Sequence, residues 1–419
     1  MTRHIGIDFG TTNSVVAVLA EDGSARVQHH QAGPTLLEMF RTVLCFWAQE
    51  DGHSRLHHAA GPHAIQAYMD DPLESRLIMS MKTYLAQRSF TQTRIFGRPF
   101  TLERLVALFL TALIAEDLRG ARLVVGRPVR FAGEFADDAF GEARLRAAFA
   151  EAGFPEIEVA LEPEAAGYRF ARTLQTPATV LVGDFGGGTS DFSVMRFTPH
   201  ACTRVVPLGH AGIGLAGDSF DYRIIDEVVS PLLGKGSVYQ VMGKDLPVPP
   251  EYFSGFARWH LLSLMRTPRT LRDIEAVAAA SADPRLLRHL IRLIEDEKGY
   301  PLYRAVSEAK AALSQAEETV LRFTHADFTV ERRITRSEFE HWISRDLQRL
   351  SQTVDRALGQ AGLDDSGIDR VFLTGGTAFV PAVRALFETR FGAERVSGGG
   401  EFVSVAEGLA LIGQARGAG

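Results

Sequence analysis

One phrase is written twice in this chain, and the repeat fixes most of what it can fold into. Ile5 to Ser14 reads IGIDFGTTNS, and Val182 to Asp191 reads VGDFGGGTSD. Each copy runs apolar residues into Asp-Phe-Gly, passes through small and hydroxyl residues, and returns to alternating apolar positions. The pattern predicts a strand, a tight glycine turn and a second strand. Asp8 and Asp184 stand 176 positions apart (184 − 8). That spacing is too long for a solenoid repeat and suits two related lobes in one chain. Such a turn aims backbone N–H groups and hydroxyls at an anion, with a carboxylate beside it for a metal ion. Two turns facing each other hold one polyphosphate from both sides.

The 419 residues are 46% hydrophobic, enough to bury cores in two or three domains. A net charge of −6 argues against a sequence-independent electrostatic grip on nucleic acid or anionic lipid. The two cysteines, Cys45 and Cys202, lie in apolar stretches and read as buried thiols of a reducing cytoplasm. The first strand begins almost at once, so no signal peptide is expected. The apolar run from Leu105 to Ala115 is too short to span a bilayer and suits a buried helix.

Strands are expected near 4–9, 14–19, 42–47, 123–126, 157–161, 201–210, 319–324, 328–333 and 370–374. Helices are expected near 61–70, 101–118, 133–152, 215–229, 302–316, 336–361 and 402–415. A helix also follows Glu162-Pro163-Glu164, where proline and acidic residues fit a first turn. Six prolines between Pro247 and Pro301 predict a helical insert of short segments over about 231–301. Alternating strands and helices indicate an α/β fold.

The residues of the two turns can be assigned chemistry. Gly10, Gly186, Gly187 and Gly188 let N–H groups approach phosphate without Cβ obstruction. Thr11, Thr12 and Thr189 add hydroxyl donors. Asp8 and Asp184 are too anionic to touch phosphate and make sense as outer ligands of Mg²⁺. Glu162 either orients and deprotonates a water attacking the γ-phosphate or simply caps its helix. Gly375-Gly376-Thr377 forms a third strand-to-glycine turn. The GxxxxGK[ST] pattern is absent, so this is not a P-loop.

Together, IGIDFGTTNS, LEPEAAGY (161–168), VGDFGGGTSD, FLTGGTAFVPAV (372–383) and FVSVAEGLAL (402–411) resemble the ATPase signatures of the actin-like superfamily. Their spelling is closest to the DnaK-type seventy-kilodalton heat-shock proteins, in a short form of the YegD type. The resemblance implies two ribonuclease-H-like lobes, 1–173 with 398–419 and 174–397, around a central nucleotide cleft with a helical insert. It implies ATP/ADP and Mg²⁺ as ligands. Asp8 and Asp184 would hold the ion through waters. Thr11, Thr12 and Asn13 would bind β/γ-phosphates from one side, and Gly186 to Thr189 from the other. Glu162, Asp184, Thr189 and Asp191 would surround the attacking water. Gly217 with Asp218, Lys310 with Ser314, and Gly375 with Gly376 would frame ribose and adenine. The resemblance ends where that family's nucleotide-binding domain ends, with no β-sandwich peptide-binding domain after Gly419.

The departures bear on the activity. Ile65 stands where the family has a catalytic lysine, a loss of the order of about 3–4 kcal/mol of barrier stabilisation, or two to three decades in rate. His63 and Lys82 are the candidates to substitute for it, although each reads more readily as structural or exposed. Ala311 and Phe379 stand where the family has arginines. His53, His57, His58 and His63 lack the companion ligands of a zinc site. The arginines Arg266, Arg269, Arg272, Arg285, Arg288 and Arg292 interleave with acids and read as a solvated helical face. Phe253, Phe256 and Trp259 read as insert core. The expectation is a cytoplasmic, slow Mg-dependent ATPase with a chaperone-like or regulatory role. Its partners are nucleotide and an unidentified protein, with no nucleic acid or membrane. A non-catalytic nucleotide sensor or scaffold is the alternative, and a small-molecule kinase of the same fold lies further off.

Overall fold

Both copies of the phrase open a sheet with the same plan. His4–Asp8 pairs antiparallel with Asn13–Leu19, placing Asp8 opposite Val15. Ala25–Val27 extends this edge antiparallel, while Arg122–Arg127 and Ile157–Leu161 join the other side in parallel. In the second sheet Ala178–Phe185 pairs antiparallel with Ser190–Thr198, which pairs antiparallel with Arg204–Ile213. Arg370–Thr374 and Val396–Gly398 join in parallel. Within each sheet the spatial order of these five strands is third, second, first, fourth, fifth. The doubled phrase is thus a doubled topology, and two such sheets in one α/β chain form the actin-like fold.

The structure is a computed structural model, and it describes residues 3–33, 35–49, 55–71, 74–131, 136–171, 176–198, 204–257, 265–398 and 404–417. Cys202, His53 and Trp259 lie outside the described residues, as do the first positions expected for the strand at 201, the helix at 133 and the helix at 402. The chain forms two compact units, Met1–Gly217 with Leu347–Gly419, and Asp218–Asp346. Both repeated sheets fall in the first.

Glycines set the close packing of that first unit. Helix Ser404–Gly417 lies on strand His4–Asp8 and on helix Glu162–Ala171. A Cβ on Gly6 would sit 2.0 Å from the Ala406 carbonyl oxygen, and one on Gly408 would sit 1.8 Å from that of Ala165. Backbones this near admit no side chain, so the two glycines fix how the Glu162 helix stands relative to the Asp8 strand. Val182, Phe197, Ala165, Leu409 and Ile412 fill the space where that helix pair meets the second sheet. A larger core, including Phe9, Phe40, Phe109 and Phe149, lies under the first sheet. Cys45 is buried. No helix among the described residues is long and apolar enough to cross a membrane, and the Leu105–Ala115 run supplies most of the buried helix Leu102–Leu113.

Several expectations need correction. The insert contains an antiparallel hairpin, Val238–Val241 with Lys244–Pro247, besides short helices. Its strands are almost wholly exposed, so they carry no alternating apolar signal. The expected helix 336–361 is two, Arg336–Trp342 and Ser344–Ala361, interrupted at Ile343. The expected helix 215–229 is α-helical over Gly217–Ile224 and then passes into a π turn. Short strands Arg55–Ala60, Ser75–Met79, Gln92–Ile95 and Arg98–Thr101 were not expected. Phe253 and Phe256 are buried in the second unit, and Arg269, Arg285, Arg288 and Arg292 pair with acids there. His57 and His58 stack on Trp47 and Phe46.

Candidate functional site

The three glycine turns meet in the first unit. Gly188 faces the first turn, with the methyl of Thr11 3.8 Å from where its Cβ would be. Gly186 donates its N–H to the Thr189 carbonyl at 2.9 Å, closing the second turn. Gly10 has no room for a side chain, because a Cβ would lie 2.0 Å from the Asn13 carbonyl oxygen. Gly375 has φ +87, and its Cβ would lie 2.0 Å from the carbonyl oxygen of Phe185. The third turn, which continues into the 3₁₀ turn Gly376–Phe379, therefore rests on the backbone of the second. Thr12 accepts from the Thr42 N–H at 2.9 Å, and the side-chain oxygen of Asn13 accepts from Arg41 at 3.4 Å.

Carboxylates gather beside these turns. Asp184 lies opposite Asp191 across its hairpin, and Glu162 begins the helix that follows strand Ile157–Leu161. A like-charged cross-strand pair is destabilising unless something uses it. Gly126 leaves the space that Glu162 occupies, since its Cβ would lie 3.0 Å from Glu162 Cγ. Burial, then repulsion from Glu162, pushes Asp8 up to about 7, with Lys82 opposing. Burial, then Glu162, Asp8 and Asp191, raises Asp184 well above the carboxylate range. Burial, then Glu162, pushes Asp191 up to about 8, although the Arg130 N–H and the Thr189 hydroxyl stabilise its charge. Asp191 is buried, and its Oδ1 has no hydrogen-bond partner among the described residues.

One lysine stands among these carboxylates. Lys82, expected to be structural or exposed, is buried and donates from Nζ to Glu162 Oε1 at 2.5 Å. Desolvation lowers its pKa, but the charges of Glu162 and Asp8, the Glu162 hydrogen bond and the charge of Asp184 together raise it. The signal was present only as a lysine two residues after Ser80, inside an otherwise apolar stretch. His63 is exposed, and Ile65 is half-buried on helix Gly61–Asp70.

The other expected residues are placed as follows. Gly217 opens a helix in which Asp218 accepts from Tyr303 at 3.3 Å. Lys310 pairs with buried Asp221 at 2.8 Å on helix Gly299–Gln315, which also carries Ser314 one turn on. Asp218, Lys310 and Ser314 belong to the second unit, whereas Gly375 and Gly376 belong to the first. Ala311 is exposed, and Phe379 is 51% exposed at the end of the third turn.

Do these residues fit Mg²⁺ and a polyphosphate? Three raised carboxyls and an unpartnered buried oxygen ask for positive charge. Among the described residues no three carboxylate, imidazole or thiol groups converge on one bare ion. Magnesium keeps several waters, and Asp8 and Asp184 would hold it through them. The glycine turns supply N–H groups where phosphates would lie. The donor set fits.

Residues 291–417 match the Hsp70 protein family. The chain is 25% identical over 94% of its length to the chaperone protein DnaK of Thermus thermophilus, covering 58% of that protein. It is likewise 25% identical to the DnaK of Deinococcus radiodurans, covering 56% of it. With the DnaK of Halobacterium salinarum it is 26% identical over 98% of its own length and 55% of that protein. The chain thus spans somewhat over half the length of these chaperones. On these matches the chain is similar to the DnaK chaperones, and its residues 291–417 are similar to the Hsp70 protein family.

Proposed function

We propose that this chain binds Mg-ATP between its two facing glycine turns and hydrolyses it slowly. The reading rests on the four carboxylates Asp8, Glu162, Asp184 and Asp191 gathered beside those turns with one lysine among them. Asp8 and Asp184 would hold magnesium through its waters, and the ion would neutralise β- and γ-phosphate oxygens. Thr11, Thr12 and Asn13 would donate to phosphate from one turn, and Gly186, Gly187, Gly188 and Thr189 from the other. Glu162, with Asp184, Thr189 and Asp191, would orient the attacking water and receive its proton. The Oδ1 of Asp191 has no other hydrogen-bond partner among the described residues and is free to accept from that water. Gly217, Gly375 and Gly376 of the first unit would approach the adenosine.

Residues 1–173 with 398–419 would act as one lobe and 174–397 as the other, drawn together when the γ-phosphate bridges the two turns. A cytoplasmic protein partner would read that state, in a chaperone-like or regulatory role. Calorimetric titration with Mg-ATP and Mg-ADP tests the binding. No heat and no thermal shift at millimolar nucleotide would sink it. Asp184→Asn should remove most metal-dependent turnover, and an unchanged rate would mean that the metal site is misassigned. Ile65 favours a second reading, a nucleotide sensor that never turns over. Labelled ATP in a single-turnover assay separates the two, since a sensor leaves bound ATP unconverted.

A further inference from the structure

Resting on the reading that Mg-ATP occupies this site, we propose that Arg41 is a phosphate-binding residue beside the first glycine turn. Its guanidinium would hold a phosphate that ATP and ADP share.

The short strand carrying Arg41 sorts its side chains by alternation. Phe40–Arg41 pairs antiparallel with the start of Asn13–Leu19, with Asn13 opposite Arg41 and Ser14 opposite Phe40. Residues directly opposite each other across a ladder share a face, and successive residues alternate between faces. Phe40 and Ser14 are both buried, and the Phe40 ring packs on Phe109 with centroids 5.6 Å apart. Arg41 and Asn13 therefore stand on the other face, and Asn13 ends the glycine turn expected to bind phosphate.

The backbone beneath Arg41 is fixed. The Thr42 N–H donates to the Thr12 carbonyl at 2.9 Å, and the Thr42 and Ser14 hydroxyls share a buried hydrogen bond at 2.9 Å. Gly61 makes room for the Phe40 ring, since a Cβ there would lie 2.3 Å from it. His30 lies against the same ring, with centroids 4.7 Å apart. Little main-chain freedom remains to be lost when a ligand binds.

The head of the side chain, by contrast, has little to hold. Arg41 is half-buried, and its one hydrogen bond among the described residues runs from Nη1 to Asn13 Oδ1 at 3.4 Å, a long contact. No carboxylate among the described residues pairs with it. Arg127, Arg144 and Arg390 of the same unit hold carboxylates at 3.0, 2.6 and 2.7 Å. A guanidinium carries its N–H donors in a planar fork that matches two oxygens of a phosphate, and most of those of Arg41 are left for a ligand. A partly desolvated cation without a counter-ion is costly, and an anionic ligand removes that cost.

Position selects the phosphate. Glu162 and Lys82 are the charges that act on Asp8, and Arg41 is not among them. The guanidinium thus stands apart from the carboxylates that would surround the attacking water. It suits a phosphate that stays on the nucleotide after hydrolysis, and not the γ-phosphate that leaves.

The test is calorimetry of Mg-ATP and Mg-ADP binding to the wild-type chain, Arg41→Met and Arg41→Lys. Arg41→Met should weaken both nucleotides about tenfold or more, and by the same factor, because both carry the contacted phosphate. Its Mg-ADP affinity should depend less steeply on ionic strength, since one charge contact is gone. Arg41→Lys should regain part of the affinity and of the salt dependence, because it keeps the charge and loses the fork. Should Arg41→Met not fold, Arg41→Gln keeps a donor for Asn13 and must show the same losses. Unchanged affinity for both nucleotides would overturn the proposal. So would a loss confined to ATP, or a loss with unchanged salt dependence and no rescue by lysine, which marks a structural role. A wild-type chain that binds neither nucleotide overturns the ATP reading itself, and this proposal with it.

Discussion

Asp191→Asn should stabilise the nucleotide-free protein, and by an amount that grows with pH. In the folded chain the Asp191 carboxyl is pushed up from 3.8 to about 8, by burial first and Glu162 second. A raised folded-state pKa means the folded chain holds that proton more tightly than the unfolded chain does. The stability so gained is complete below about pH 4 and is lost as pH rises through about 8. At about 1.4 kcal/mol for each tenfold step in acidity, the rise from 3.8 to about 8 would amount to about 6 kcal/mol for a carboxyl titrating alone. Asp191 shares its surroundings with Asp8, Asp184 and Glu162, so a proton on one relieves the others. The part expected from Asp191 itself is about 2 to 3 kcal/mol. Asparagine cannot titrate and keeps the shape, so the variant should match the wild type near pH 4 and exceed it by that amount near pH 8.5. Urea denaturation of both proteins at the two pH values, without magnesium or nucleotide, measures the difference. A stability gap that is the same at both values, or a variant less stable at high pH, would refute the electrostatic reasoning.

Two further outcomes follow from the packing. Gly375→Ala should cost at least about 3 kcal/mol, since its Cβ would strike the Phe185 carbonyl and its φ is left-handed. Gly186→Ala, whose Cβ would meet the Thr189 carbonyl at 3.4 Å, should cost about 1 kcal/mol or less. Equal losses in denaturation would undo that contrast. Arg144→Met should cost about 3–5 kcal/mol. It strands Glu103, bound at 2.6 Å, and leaves the carbonyls of Tyr84 and Phe90 without their buried donor. A melting temperature within a degree of wild type would show that the segment after Lys82 does not depend on it.

The two strand–turn–strand phrases were legible because everything that makes them is local. Apolar alternation forms the strands, and glycine closes the turns within a few residues. Strands Ile157–Leu161 and Arg370–Thr374 were read to the residue for the same reason. The hairpin at Val238–Pro247 was not, because its exposed strands leave no apolar period. The break at Ile343 escaped because both flanking segments carry helical patterns of their own.

The carboxylates could be listed from sequence, since each stands beside a recognisable turn. Their company could not. Lys82 is 80 positions from Glu162, and nothing near it in sequence marks it as their partner. The sequence marked position 65, where lysine is missing, and offered Lys82 only as one of two substitutes. Likewise, Gly6 and Gly408 seem unrelated along the chain, yet they set where the Glu162 helix stands relative to Asp8. Sequence by itself determined the repeated strand-and-turn units and the kind of ligand they suit, because short-range periodicity and glycine placement carry that information. Only the tertiary structure decided which charge sits among the carboxylates. A buried charge is stabilised by whatever the fold brings within a few ångströms of it, and chain spacing does not encode that distance.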